Sequence, residues 1–139
     1  THPGMTQDEA LIRADDYWSR GYESEEAVPV ETPPPHSTGA AVDLTLRHIE
    51  SKELVSMGSL FDEPTPLSYP DALESTNADT AELQNARAYR RLLYWTMHKY
   101  GFTCYPYVGW HYSFGDQEWA ARTGAPRALY GKYMPHETT

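Results

Sequence analysis

His36, Asp43 and His111 are the residues of this chain whose types and placement suit one piece of chemistry, the holding of a divalent cation. His36 and Asp43 stand in "PPPHSTGAAVDLTLRH" with Gly39 between them. A glycine there lets the chain turn tightly, so that a histidine in a loop and an aspartate on the following strand can converge on one ion. His111 lies in the aromatic run "FTCYPYVGWHYSF", which reads as a strand and therefore as a rigid support. Two imidazoles and one carboxylate suit zinc with one coordination position open to water. They equally match the facial triad used by non-haem iron. Spacing alone also fits an ordinary loop and strand that contain a histidine. The other histidines have plainer readings. His2 and His136 lie near the ends of the sequence, His98 complements the dipole at the end of a helix, and His48 closes a strand without an evident partner.

The elements that must position these residues can be read from pattern and composition. The 139 residues are enough for one domain with a single core, and 40% hydrophobic with 13% aromatic residues predicts folding rather than disorder. A net charge of −9 argues against nucleic-acid binding and against docking on an anionic membrane. No stretch has the length of a transmembrane helix, and no N-terminal segment has the pattern of a signal peptide. A single cysteine, Cys104, excludes an internal disulfide framework, fits a reducing compartment and reads as a small buried residue in a strand. The expected location is cytoplasmic, with the periplasm or exterior left open because a mature secreted chain has already shed its signal.

"TQDEALIRADDYWSRGY" reads as a helix capped by Thr6 and ended by Gly21. Residues 22–39 are acidic and then proline-rich, which predicts an extended loop. From Ala40 the pattern alternates: Ala40, Val42, Leu44 and Leu46 should face the core, and Asp43 should not. Residues 49–78 carry turn signals. "DTAELQNARAYRRLLYWTMHKYG" is the strongest helix, with Asp79 and Glu82 as a capping box and Leu83, Ala86, Tyr89, Leu92, Leu93, Met97 and Tyr100 as its apolar stripe. The aromatic strand breaks near Pro106 to Gly109, "GDQEWAART" is a short helix or turn, and "RALYGKY" is a last short strand. Together these predict one α+β domain over residues 1–139, a mixed or antiparallel sheet packed by helices.

Four motifs resemble, in order, those of the zinc-dependent D-alanyl-D-alanine dipeptidases, the family that includes the vancomycin-resistance enzyme. "HSTGAAVDLTL" is similar to that family's His-x-x-Gly-x-Ala-x-Asp signature, and "MGSLFDEPTP" to its Met-Gly-x-x-Phe-Asp segment. "NARAYRRLLYWTMHKYGF" resembles its Asn-Arg-x-x-Leu helix before a Gly-Phe turn. "GWHYSFGDQEWAARTGAPRALYG" resembles its Trp-His segment, Gly-Asp-Gln and closing Ala-Leu-Tyr-Gly. The resemblance covers roughly residues 33 to 131. It implies zinc held by His36, Asp43 and His111, with Asp62 near the substrate's amino group and Trp110 also on the substrate side. It implies a small peptide or amino-acid-like substrate, with D-alanyl-D-alanine of the bacterial cell wall as the type, and neither nucleic acid nor membrane as a partner.

Two departures from the family stand beside these matches. In the family a glutamate lies three residues before the second zinc histidine, where it takes a proton from the bound water and hands it to the leaving amine. Here that position is Val108, which can do neither, and Gly109 stands where a second tryptophan is usual. Asp116 and Glu118, soon after His111, are the acids that could replace it. The family also carries an N-terminal Asp-x-Tyr-Arg-Pro segment whose arginine helps stabilise the transition state, and this sequence has no such segment. Three readings follow: a zinc peptidase with impaired or altered hydrolysis; a metalloenzyme of different reaction, with iron in the same His/Asp/His set; or a non-catalytic relative or one chain of a two-chain enzyme, a second chain supplying the N-terminal portion.

Overall fold

The computed structural model describes residues 33–63, 65–75 and 80–132. The helix expected at Thr6–Gly21, the acidic stretch before residue 33, Asp79 and His136 lie outside them. The architecture is α+β, as the pattern predicts. Strand β1 is Ala41–Asp43, helix α1 is Ala81–Lys99, β2 is Thr103–Cys104, β3 is His111–Ser113 and helix α2 is Gln117–Thr123. The three strands form an antiparallel sheet in the order β1-β3-β2, so the His111 strand is central.

The register sets the site. Ala41 pairs with Ser113, Val42 with Tyr112 and Asp43 with His111. Directly opposed residues of an antiparallel pair point to the same face, so Asp43 and His111 emerge side by side. Tyr112 points to the other face and is 2% exposed. There it hydrogen-bonds Cys104, whose thiol burial pushes up to about 11. A cysteine held neutral in this way is packing rather than a nucleophile.

Three local expectations are corrected. The face of β1 that enters the core is that of Ala41, 8% exposed, whereas Val42 is 42% exposed. The strand stops at Asp43, and the chain turns into a small hairpin in which Arg47 bridges Leu54. Leu44 and Leu46 therefore do not extend one face. In place of a wholly extended proline loop, Pro35–Thr38 forms a single 3-10 turn, because Pro35 fixes a helical φ at a first position where no N–H is needed. Gly39 closes that turn at φ 70, a left-handed conformation that other residues adopt at a cost. "RALYGKY" is not a strand over its described residues 127–132: the N–H groups of Leu129 and Tyr130 both donate to the Gly115 carbonyl, a latch rather than a ladder.

Helix α1 forms as its pattern predicts, but its cap is Thr80, whose Oγ1 accepts from the Leu83 N–H at 3.2 Å. Ala86 and Leu93 are buried along the expected stripe. Leu92 and Tyr100, which the pattern places on the same stripe, stay exposed. His48 does have a partner, the ring of Tyr89 on this helix, at 6.2 Å between centroids. No helix among the described residues is long and apolar enough to cross a membrane.

Arg90 ties α1 to the irregular segment that carries Phe61 and Asp62. Its guanidinium donates to the carbonyls of Met57 at 2.6 Å, Tyr69 at 2.9 Å and Leu67 at 2.9 Å, and to Ser59 Oγ at 3.2 Å. Replacing a half-buried charged donor strands those carbonyls. Arg90→Met is expected to lower unfolding free energy by on the order of 3 kcal/mol. Urea denaturation checks this, and an unchanged midpoint would show that other contacts hold the segment.

Candidate metal centre

The 3-10 turn and β1 bring His36 to Asp43, and the β1–β3 register brings His111 to the same carboxylate. Asp43 Oδ1 lies 3.3 Å from His36 Nε2 and 3.0 Å from His111 Nδ1. One ligand atom from each of the three lies within 4.8 Å of the others. The imidazoles meet edge to face, with centroids 4.7 Å apart and planes at 85°. His111 is the sheltered member, 12% exposed, while the His36 side chain is 49% exposed and Asp43 31%.

The electrostatics follow from this packing. Burial alone would push the Asp43 carboxyl upward. Hydrogen bonds from His111 and then His36, with their charges, overcome it and hold the carboxyl well below its usual range. The His36 imidazole is raised, chiefly by its hydrogen bond with Asp43, with burial opposing and the Ala41 backbone and the charge of Asp116 adding to the rise. Asp43 is thus an anion on which two imidazoles converge, and a divalent ion answers the same demand.

Asp116 and Glu118 are placed differently from one another. Asp116 is fully buried and its Oδ1 caps α2, accepting from the Trp119 N–H at 2.8 Å. Its Oδ2 has no hydrogen-bond partner among the described residues. Glu118 Oε2 lies 3.7 Å from His111 Nε2, the ring nitrogen on the far side from Asp43. Glu118 is therefore behind the imidazole, away from the face the three ligands share, and does not stand where the family's glutamate would.

Val108 sits between β2 and β3 and offers its carbonyl to the Cys104 thiol at 3.8 Å. Gly109 donates its N–H to the Ser68 carbonyl at 2.8 Å. Trp110 packs its ring on Phe61 at 5.4 Å, beside a cavity of about 240 Å³ also lined by Leu44, Ser68 and Arg90. Asp62 follows Phe61 at φ 61, is exposed, and forms no ion pair with the described triad residues. The structure thus brings together His36, Asp43 and His111. It sets Trp110 immediately before His111, where β3 begins, and puts Asp62 on the neighbouring segment, outside the group of three. Sequence reading missed Ser113, whose Oγ is 3.3 Å from His111 Nε2. Its place two residues on along the same strand face was the available signal.

The sequence profile of the D-ala-D-ala dipeptidase family matches residues 8–127. The chain belongs to the D-Ala-D-Ala dipeptidase family. A D-alanyl-D-alanine dipeptidase of Synechocystis is 41% identical over 93 residues, 64% of this chain and 37% of that protein. One from Enterococcus faecalis is 42% identical over 82 residues, 59% of this chain and 37% of that protein. One from Streptomyces coelicolor is 38% identical over the same length. The matched part of this dipeptidase-family chain thus spans 37% of the length of these relatives.

A cation fits the donor set of this dipeptidase-family site. Two imidazoles and an ionised carboxylate supply three ligands of the types zinc takes. The buried, half-satisfied carboxylate of Asp116, whose charge reaches His36, makes the surroundings more receptive to positive charge.

Proposed function

We propose that the chain carries the metal centre of a zinc-dependent hydrolase acting on D-alanyl-D-alanine or a similar D,D-dipeptide, at a rate reduced by the valine at position 108. The convergence of His36, Asp43 and His111 on one point supports this reading, and the dipeptidase names of the relatives supply the substrate class. Zinc held there would polarise the peptide carbonyl and supply a hydroxide nucleophile near neutral pH. The rest falls to the chain itself. His36, Asp43 and His111 hold the ion, and the Trp110–Phe61 pair forms an apolar wall beside it. Asp62, one residue beyond that wall, is the carboxylate for a substrate's ammonium group. No acid–base side chain occupies position 108, so proton transfer from water to the leaving amine lacks its positioned carrier. The whole is one domain with a small peptide as its partner.

The expected result is slow, zinc-dependent release of D-alanine from D-alanyl-D-alanine, stopped by a chelator and restored by zinc. Protein purified without added metal should carry stoichiometric zinc by elemental analysis. Bound iron with oxygen-dependent turnover, or no metal at all, would sink the reading.

A further inference from the structure

We propose that Glu118, clamped by Arg122, is the positioning residue that fixes which nitrogen of His111 faces the metal; this rests on the metal reading given above. The His111 ring offers Nδ1 to Asp43 at 3.0 Å. If Nδ1 is the ligand, Nε2 must carry the proton, and that proton needs an acceptor behind the ring. Two oxygens wait there, Ser113 Oγ at 3.3 Å and Glu118 Oε2 at 3.7 Å.

They are not equivalent. A serine hydroxyl both donates and accepts, so it satisfies either tautomer and selects neither. An ionised carboxylate only accepts, so it favours the proton on Nε2 and leaves the Nδ1 lone pair free for the ion. At 3.7 Å the Glu118 contact is in ion-pair range and outside hydrogen-bond length, so it acts through charge on the proton's location.

Glu118 is also held as a positioning residue must be. Its other oxygen, Oε1, accepts from Arg122 Nε at 3.2 Å and Nη2 at 2.9 Å, one helical turn along α2. The Arg122 guanidinium lies over the Tyr105 ring at 5.7 Å, and that ring packs against His111 at 5.7 Å. Helix α2 itself is fixed at its start by the Asp116 cap, and Gln117 Nε2 donates to the Pro33 carbonyl at 2.5 Å, just before the turn that carries His36. One short helix thus braces the elements of both histidines. With its side chain 17% exposed, Glu118 is sheltered enough for its charge to act on the ring.

The test is zinc affinity. The full chain is stripped with a chelator and titrated with Zn²⁺ by competition calorimetry, alongside melting of the stripped protein. Glu118→Ala is expected to weaken zinc binding by about 10–100-fold with the stripped melting temperature unchanged. Glu118→Gln, which keeps the volume and an acceptor but no charge, should fall between, and carries the test if the alanine variant does not fold. Ser113→Ala should weaken zinc binding less than either Glu118 variant. Wild-type affinity in both Glu118 variants, loss that tracks a lowered stripped melting temperature, or the same loss from Ser113→Ala overturns the proposal. Failure of the wild-type chain to bind zinc overturns the metal reading with it; tight wild-type binding with no Glu118 effect overturns this proposal alone.

Discussion

Val108→Glu is expected to raise hydrolysis of D-alanyl-D-alanine by about 10²–10⁴-fold, the contribution of one positioned acid–base group. The substitution places a carboxylate three residues before His111, in the loop between β2 and β3. That loop is pinned on both sides: Tyr105 N–H donates to the His111 carbonyl at 3.0 Å, and Gly109 N–H to Ser68 at 2.8 Å. A side chain at 108 therefore projects from a backbone that is already fixed relative to the His111 ligand. Of the two acids that follow His111 neither takes this place, since Glu118 stands behind the imidazole and Asp116 is committed to capping α2. Val108→Gln is the control, similar in size to glutamate but unable to move a proton, and should give no gain. Initial rates of amine release with zinc present decide it. A glutamate variant no faster than wild type would mean that more of the pocket has been rebuilt than this residue, with Gly109 the nearest further difference.

How much of this site the sequence reveals depends on whether local or long-range pairing sets each part. The turn at His36 and Gly39 and the helix from Ala81 are local, and their residue types announce them. The pairing of Asp43 with His111 is not local. Two strands far apart in the chain must meet in one register, and a slip of a single residue would turn Asp43 to the other face. Alternation from Ala40 to Arg47 suggested a long strand with its leucines inside. The ladder runs one hydrogen bond past Asp43, from Leu44 N–H to the Trp110 carbonyl at 3.0 Å, and the chain then turns into its own hairpin. What the leucines could not show is that Ala41 is the buried residue of β1 while Val42 stays exposed. Glu118 behind His111 was illegible for the same reason: nothing in "GDQEWAART" tells which face of a short helix meets a strand that precedes it.

Asp43→Asn should weaken zinc binding by roughly a thousandfold. Zinc sites of protein ligands bind with about 10–16 kcal/mol in total, so one charged ligand accounts for about 3–4 kcal/mol, which is two to three powers of ten. Asp43 is the member on which this falls hardest, because its Oδ1 faces both imidazoles and supplies the only negative charge of the three. The amide keeps the shape of the carboxylate and one oxygen acceptor, so packing against Ala41 and β3 survives while the charge goes. Melting curves separate the two effects. Zinc at about a thousand times its dissociation constant stabilises the wild-type fold by about 4 kcal/mol through mass action, and a thousandfold weaker variant loses nearly all of that shift. If zinc raises the melting temperature of wild type and of Asp43→Asn alike, the ion sits elsewhere and the ligand set is wrong. If the stripped variant already melts far below the stripped wild type, the carboxylate's chief work is joining the two histidine elements, and the ion merely replaces one set of positive partners with another.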